Sequence, residues 1–164
     1  EIGFNGGHSA SLWMLANPTA KVTMFDIWLH KYANEGEAFL RSADAAEAGV
    51  VDGDARLTII KGSSHDTVAP FAAANPHTCD IFSVDGDHSH EGAIQDLLDV
   101  LPILKDGTSL VVLDDTNCEA AHCVDKARDA VVDQGKYEIL LKISEYARWH
   151  NGEGPRGVTL MRPL

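Results

Sequence analysis

The chain has 164 residues, 45% of them apolar, and it carries 13 Lys and Arg against 25 Asp and Glu, a formal net charge of −12. This size suits one compact domain, and the charge argues against a nucleic-acid partner, because phosphate backbones are bound by clustered Lys and Arg. No apolar run reaches the length of a membrane span and no basic leader precedes the first strand, so we expect a soluble protein without a membrane partner. Cys79, Cys118 and Cys123 form no even disulfide framework, which predicts free thiols and a cytoplasmic location.

The chain opens on a strand end, a glycine turn and the start of a helix, Glu1-Ile-Gly-Phe-Asn-Gly-Gly-His-Ser9. Glycines in such a turn allow positive φ angles and close approach of a ligand, which is typical of a nucleotide pocket. The next predicted strand ends at Asp26, whose carboxylate is placed to accept the hydroxyls of a ribose. Asn5 stands where a G-x-G-x-x-G motif has its second glycine, and this counts against a dinucleotide.

Strands and helices alternate along the rest of the chain. The predicted strands run to residue 3 and over 21–26, 56–60, 80–84, 109–113, 137–146 and 156–162, and the predicted helices cover 9–16, 31–48, 66–74, 91–104 and 119–134. The alternation predicts a single α/β domain over 1–164, with a Rossmann-like, doubly wound, mostly parallel seven-stranded sheet and helices on both faces. Only a short turn separates the last two strands, so we expect a C-terminal antiparallel hairpin whose edge strand runs against the others.

Four carboxylates follow two short, almost wholly apolar strands. Asp85 and Asp87 come after the fourth predicted strand, and Asp114 and Asp115 come after the fifth. In a parallel sheet, ligands bind beyond these strand ends. Clustered like charges need a cation, raised pKa values or full solvation, and a hard ion such as Mg²⁺ is the simplest solution. The alternative for Asp115 is that it only caps the following helix.

Together these segments resemble the class I S-adenosylmethionine-dependent methyltransferases, in particular the metal-dependent O-methyltransferases that act on small molecules of the catechol and sugar type. The resemblance spans nearly the whole chain and is carried by residues 1–10, 25–26, 61–68, 84–92 and 113–116. The most specific segment is Val84-Asp-Gly-Asp-His-Ser-His-Glu-Gly92. The resemblance implies S-adenosylmethionine as cofactor, Mg²⁺ as metal and a small hydroxylated acceptor, and it leaves a homo-oligomer open.

The resemblance also implies a role for each matching residue. The cofactor would be contacted by Glu1, Gly3, Asn5, Gly7, Ser9, Asp26, Ser64, His65 and Asp85. Within that set, Asp26 would take the ribose, and Ser64 and His65 would border the adenine. The metal ligands would be Asp85, Asp114 and Asp115. Asp87 matches the general base of the sugar enzymes and His88 that of the catechol enzymes, and the Asp-Gly-Asp spacing favours Asp87.

The chain departs from the family pattern in two places. Ser63 stands where the family often has an acid, and the helices that usually precede the glycine turn and cover the cofactor are expected to be lacking. Two other functions stay open. One is a nicotinamide-dependent oxidoreductase, and the other is a cofactor-binding or assembly module without catalytic activity.

Overall fold

A computed structural model describes residues 1–50, 52–117, 123–148 and 155–164. Its residues group into two compact units, Glu1–Thr67 and Val68–Leu164. The strands of the described residues are β1 Val22–Asp26, β2 Leu57–Lys61, β3 Ile81–Val84, β4 Leu110–Leu113, β5 Tyr137–Arg148 and β6 Pro155–Pro163. The helices are α1 His8–Ala16, α2 Tyr32–Leu40, α3 Ala43–Glu47, α4 Gly53–Arg56, α5 Ser64–Ala74, α6 His90–Asp99 and α7 Asp125–Asp133, with a 3₁₀ turn at Leu101–Ile103.

The first unit is built on two parallel strands. β1 pairs with β2 from Val22 opposite Leu57 to Asp26 opposite Lys61. The expected first strand is reduced to a bridge between Ile2 and Phe25, in which Phe25 N–H donates to the Glu1 carbonyl and Gly3 N–H donates to the Phe25 carbonyl, both at 2.8 Å. The core of this unit is lined by Phe4, Ala10, Met14, Val22, Met24, Ala33, Leu40, Ala45, Val50 and Leu57.

The second unit contains a four-stranded sheet in the order β3-β4-β6-β5. β3 and β4 are parallel, whereas β6 is antiparallel to both β4 and β5. The predicted C-terminal hairpin is therefore confirmed, but the strand that runs against its neighbours is β6, which lies inside the sheet and not at its edge. Burial explains the order, because Thr159 and Met161 of β6 are fully buried, while Leu140 and Leu141 of β5 are exposed.

The predicted seven-stranded sheet is wrong for the described residues, which contain six strands in groups of two and four. The expected first strand is present only as the isolated bridge between Ile2 and Phe25. The α/β class with a methyltransferase-like arrangement is confirmed. The assignment of residues 1–164 to a single domain stays a prediction.

Two predicted helices end earlier than expected. The helix over 31–48 is divided at Ser42, whose side chain accepts from Ala45 N–H (3.3 Å) and starts α3 as an N-cap. The helix over 91–104 ends at Asp99, and the 3₁₀ turn that follows contains Pro102, which lacks an N–H and cannot continue the helical bonding. The predicted helix over 119–134 is observed only as α7, because residues 118–122 lie outside the described residues.

The cysteines depart from the sequence expectation. Cys79 is free, as predicted, but Cys123 takes part in a disulfide, so the prediction of free thiols is wrong for Cys123. A cytoplasmic location was expected from free thiols, and Cys123 removes that support. Within the described residues, no helix is both long enough and apolar enough to cross a membrane.

Candidate functional site

The glycine turn of the first unit has the backbone that its sequence predicts. Gly3, Asn5 and Gly7 have φ values of 98°, 50° and 80°, all in the left-handed region. A Cβ on Gly7 would lie 2.9 Å from the Phe4 ring, so only glycine fits this position. Helix α1 begins directly after the turn at His8, with Ser9 in its first turn. The turn therefore brings a strand end and a helix start together over a few residues.

Asp26 ties this turn to the end of β1. Its Oδ2 accepts from Asn5 N–H at 2.9 Å, and its Oδ1 accepts from Trp28 N–H at 2.6 Å. A carboxylate has roughly four acceptor positions, so the half-buried Asp26 keeps capacity for further donors. The predicted ribose acceptor is therefore already oriented by backbone N–H groups of the glycine turn and of the loop after β1.

The other predicted cofactor residues of this unit flank the same strand ends. Ser64 and His65 open α5 just after Gly62, whose N–H donates to the Asp26 carbonyl at 2.9 Å. Glu1 Oε2 accepts from the Trp13 indole N–H at 3.1 Å. A cavity of about 420 Å³ lies beside the turn and is lined by Gly6, Gly7, His8, Ser11, Tyr32 and Glu35, among others. The unit thus gathers the predicted cofactor residues, except Asp85, around the ends of β1 and β2.

The second unit brings the predicted catalytic and metal residues together at the ends of β3 and β4. The parallel register sets Val84 opposite Leu113, so Asp85 and Asp114 follow at the same edge of the sheet. Ligand atoms of Asp85, His88 and Asp115 all lie within 4.8 Å of one another. His88 Nε2 is 3.5 Å from Asp85 Oδ1 and 3.4 Å from Asp115 Oδ2. These three residues are called the acid–imidazole cluster below.

Burial and neighbouring charges shift the pKa values of Asp85 and His88 in the acid–imidazole cluster. Burial raises the pKa of Asp85, the hydrogen bond from His88 opposes this rise, and the charges of Asp114 and Asp115 add to it. The pKa of His88 is raised, first by its hydrogen bond to Asp85 and against the effect of burial. A small cavity of about 10 Å³, close to the room that one water or ion needs, is lined in part by Asp85, Asp87, His88 and Asp114.

Asp87 lies against the start of α6. Its Oδ1 accepts from Ser89 N–H at 2.8 Å, and a Cβ on Gly92 would stand 2.1 Å from its Oδ2. The Asp87 N–H donates to Oδ2 of the fully buried Asp96 at 3.2 Å. These contacts fix the conformation of the segment that carries Asp85 and His88.

Arg156 is part of the site, although the sequence did not single it out. Its Nε lies 3.0 Å from Asp115 Oδ1, and its Nη2 lies 3.4 Å from Asp114 Oδ2. Asp114 Oδ1 in turn accepts from Asp115 N–H at 2.8 Å. The residue could be identified only from the antiparallel pairing of β6 with β4, which a single sequence does not specify.

A second arginine supports the loop after β4. Arg128 is 4% exposed, and its Nη1 donates to Asn117 Oδ1 at 3.0 Å and contacts Asp125. Asn117 Nδ2 donates to the Val158 carbonyl at 3.1 Å, and the N–H of Thr116 donates to the Gly157 carbonyl at 2.9 Å. Buried networks whose members are hydrogen-bonded make a loop rigid, so the position of Asp115 is set by its neighbours.

These features are those of a class I methyltransferase fold: a glycine turn before α1, an acid at the end of β1, and a reversed strand in the C-terminal hairpin. A family model described as a methyltransferase domain matches residues 1–116. The chain therefore belongs to the methyltransferase-domain family. No curated protein matches the chain.

Solved structures agree on the fold. A methyltransferase from Methanosarcina mazei, described as S-adenosylmethionine-dependent, has a TM-score of 0.70 and 13% identity over 99% of this chain and 90% of its own. An O-methyltransferase from Bacillus cereus, in complex with S-adenosylhomocysteine, has a TM-score of 0.67 and 12% identity over 98% of this chain and 71% of its own. The calicheamicin-biosynthesis enzyme CalS11, a TDP-rhamnose 3'-O-methyltransferase, has a TM-score of 0.67 and 18% identity over 96% of this chain and 68% of its own.

The predicted enzyme class, an S-adenosylmethionine-dependent methyltransferase, is thereby confirmed. At these identities the structural likeness concerns the fold. The alternative of a nicotinamide-dependent oxidoreductase does not suit the family to which the chain belongs.

Proposed function

We propose that the chain transfers the methyl group of S-adenosylmethionine to a hydroxyl oxygen of a small molecule, with a divalent cation held by the two carboxylates of the acid–imidazole cluster. The observation that carries the proposal is the convergence of Asp85, His88 and Asp115 within 4.8 Å. Two of the structural neighbours, from Bacillus cereus and from calicheamicin biosynthesis, are O-methyltransferases.

The cofactor proposal assigns the residues of the first unit to S-adenosylmethionine. Asp26, held by the N–H groups of Asn5 and Trp28, accepts the ribose hydroxyls. The turn through Gly3, Asn5 and Gly7 faces the methionine part, while Ser64 and His65 border the adenine. A sulfonium carries its own positive charge and needs no cluster of Lys and Arg, and residues 1–9 contain none.

The chemistry of the donor set suits Mg²⁺ or a similar ion. Oxygen ligands are what Mg²⁺ prefers, and it is commonly bound by one or two carboxylates with water or substrate completing its coordination. Asp85 and Asp115 would supply those carboxylates, with Asp114 beside them. When bound, the cation lowers the pKa of an acceptor hydroxyl and orients it.

The transfer itself is an in-line displacement at carbon. The bond from the acceptor oxygen to the methyl carbon forms while the bond from sulfur to that carbon breaks, and S-adenosylhomocysteine leaves. The reacting atoms must be held about 3 Å apart. The hydroxyl proton has to be accepted by a nearby base.

We assign that base to His88, because its Nε2 lies within 3.5 Å of carboxylates on both strand ends. The sequence pattern favours Asp87, which lines the same small cavity and stays a predicted base. The two assignments differ in their consequences. If His88 is the base, His88→Gln lowers kcat about 10²–10⁴-fold and Asp87→Asn has the smaller effect.

The test is transfer of an isotopically labelled methyl group from S-adenosylmethionine to a panel of catechols and sugars with neighbouring hydroxyls, in Mg²⁺ and in EDTA. We expect product in Mg²⁺ and its loss in EDTA. His88→Gln and Asp87→Asn are compared with His90→Gln, a control two residues beyond His88 at the start of α6. Full turnover after exhaustive chelation would refute the metal assignment. Tight S-adenosylhomocysteine binding without turnover of any acceptor would favour a non-catalytic binding module.

A further inference from the structure

Arg156 contacts the two carboxylates that follow β4. Its Nε is 3.0 Å from Asp115 Oδ1, and its Nη2 is 3.4 Å from Asp114 Oδ2. The Asp115 side chain is 1% exposed and the Arg156 side chain 25% exposed. Ion pairs and charge-assisted hydrogen bonds are stronger when water is largely excluded, so this contact fixes the direction of the Asp115 carboxylate.

The position of Arg156 follows from the register of β6. Thr159 lies opposite Leu113 in the antiparallel pairing of β4 and β6. Continuing that pairing beyond β4 brings the start of β6 alongside Asp115 and Thr116, where Thr116 N–H donates to the Gly157 carbonyl at 2.9 Å. A Cβ on Gly157 would lie 2.3 Å from the Thr116 carbonyl oxygen, so the two chain segments are in close contact.

The two oxygens of Asp115 consequently have different neighbours. Oδ1 accepts from Arg156, and Oδ2 faces His88 Nε2 at 3.4 Å. The backbone of Asp115 is also fixed, because it has a φ of 48° and its N–H donates to Asp114 Oδ1. The Asp115 carboxylate therefore directs one oxygen, Oδ2, toward the other members of the acid–imidazole cluster.

We propose that Arg156 is a specificity-determining residue that makes the cluster prefer Mg²⁺ over Ca²⁺. The inference rests on the proposed function, since it requires a divalent cation at Asp85 and Asp115. Mg²⁺ binds few carboxylate oxygens in a strict octahedron and keeps its waters, whereas Ca²⁺ takes 6–8 oxygens and often both oxygens of one carboxylate. With Oδ1 hydrogen-bonded to the guanidinium, a two-oxygen contact by Ca²⁺ has to compete with Arg156 for that oxygen.

Two substitutions separate the geometry of Arg156 from its charge. Arg156→Gln removes the charge and the planar fork, so both cations should bind more tightly and Ca²⁺ should gain more. Arg156→Lys retains the charge but presents a single ammonium in place of the fork. The matched control is Arg162→Gln, which makes the same charge change on β6 at a residue paired with the partly exposed Glu138.

The experiment is calorimetric titration of MgCl₂ and of CaCl₂ into the full chain for the original protein and the three variants, with circular dichroism to verify folding. We expect the ratio of the Ca²⁺ Kd to the Mg²⁺ Kd to fall in Arg156→Gln by roughly 10- to 100-fold at most, the worth of one charge-assisted hydrogen bond. The ratio should also fall in Arg156→Lys and stay unchanged in Arg162→Gln.

Each other outcome has a definite meaning. An unchanged ratio in both Arg156 variants, with Mg²⁺ binding intact, would overturn the role of Arg156 and leave the metal proposal standing. A ratio that falls in Arg156→Gln but not in Arg156→Lys would assign the effect to charge and overturn the single-oxygen explanation. Absence of binding of either cation to the original protein would refute the metal part of the proposed function and this inference with it. If Arg156→Gln does not fold, the Kd ratio of Arg156→Lys tests the proposal alone: a fall supports it and an unchanged ratio overturns it.

Discussion

Asp26 shows how one carboxylate can serve both structure and binding. It accepts hydrogen bonds from two backbone N–H groups, that of Asn5 in the glycine turn and that of Trp28 after β1. These bonds hold the glycine turn and the loop after β1 in place before any ligand arrives. A preoriented acceptor costs little further ordering when it binds a ribose.

Asp26→Ala should weaken S-adenosylhomocysteine binding roughly 10- to 100-fold, because a hydrogen bond to a charged acceptor contributes about 1.5–3 kcal/mol. The measurement is the rise in melting temperature caused by the ligand, taken relative to each ligand-free variant. Asp44→Ala, an exposed acid in the first turn of α3, is the control with the same charge change. Equal ligand-induced shifts in the original protein and in Asp26→Ala would remove Asp26 from the ribose site.

His88 should make the stability of the metal-free protein depend on pH. Its pKa in the folded chain is raised above the ordinary 6.5, first by the hydrogen bond to Asp85. The resulting stabilisation is fully present below pH 6.5 and is lost as the pH rises through the folded pKa. The pKa of Asp85 is also raised, so its contribution to stability is likewise lost with rising pH, and that loss begins above its ordinary pKa of 3.8.

The melting temperature of the original protein in EDTA should therefore exceed that of His88→Gln by more at pH 5.5 than at pH 8.5. Thermal unfolding across this range, with His90→Gln as the control, measures the difference. A gap between the original protein and His88→Gln that stays constant with pH would show that His88 has no raised pKa in the folded state.

At the scale of secondary structure, Tyr137 links the start of β5 to the end of α6. Its hydroxyl donates to the Leu97 carbonyl at 2.7 Å, and the side chain is 1% exposed. Carbonyls in the last turn of a helix lack intrahelical partners, so this bond satisfies a group that would otherwise be buried without one. Burial strongly raises the pKa of Tyr137, which keeps the hydroxyl a donor at any physiological pH.

Tyr137→Phe should lower the free energy of unfolding by about 1 kcal/mol, and by up to about 3 kcal/mol if the Leu97 carbonyl stays unsatisfied. Denaturant unfolding monitored by circular dichroism gives this value. Tyr32→Phe is the control, because Tyr32 is 45% exposed and its ring stacking on His30 does not need the hydroxyl. An equal loss in both variants would contradict a specific role for the Tyr137 hydroxyl.

The sequence predicted the elements whose signals are local. β3 and β4 are short apolar runs with carboxylates after them, and both strands were found within a residue of their expected bounds. Because they were expected to be parallel, the proximity of Asp85 to Asp114 could also be anticipated. The glycine turn into α1 was predictable for the same reason, since glycine is needed where φ is positive.

What the sequence missed depends on contacts between distant segments. Arg156 reaches Asp115 only through the register of β6 on β4, and Arg128 becomes a support for Asn117 only once α7 has packed. The break at Ser42 was missed because a serine inside a helix-forming stretch can either continue the helix or cap a new one. The interior position of β6 follows from the burial of Met161, and an alternation pattern does not give strand order.

At the scale of the molecule, the two compact units divide the proposed work. Glu1–Thr67 holds the residues proposed for the cofactor, apart from Asp85, and Val68–Leu164 holds the acid–imidazole cluster with its supporting arginines. The excess of acids over bases gives a net charge of −12, so small cations are attracted to the surface and polyanions are repelled. The predicted small hydroxylated acceptor and the predicted absence of a nucleic-acid partner are consistent with this charge and stay predictions.

Calorimetric titration of S-adenosylhomocysteine into the full chain tests the central claim, that this member of the methyltransferase-domain family binds that nucleoside. We predict saturable binding at one site per chain, which added NADH does not compete away and which Asp26→Ala weakens. A folded protein that releases no heat with S-adenosylhomocysteine at millimolar concentration, or one in which NADH displaces it, would contradict the account.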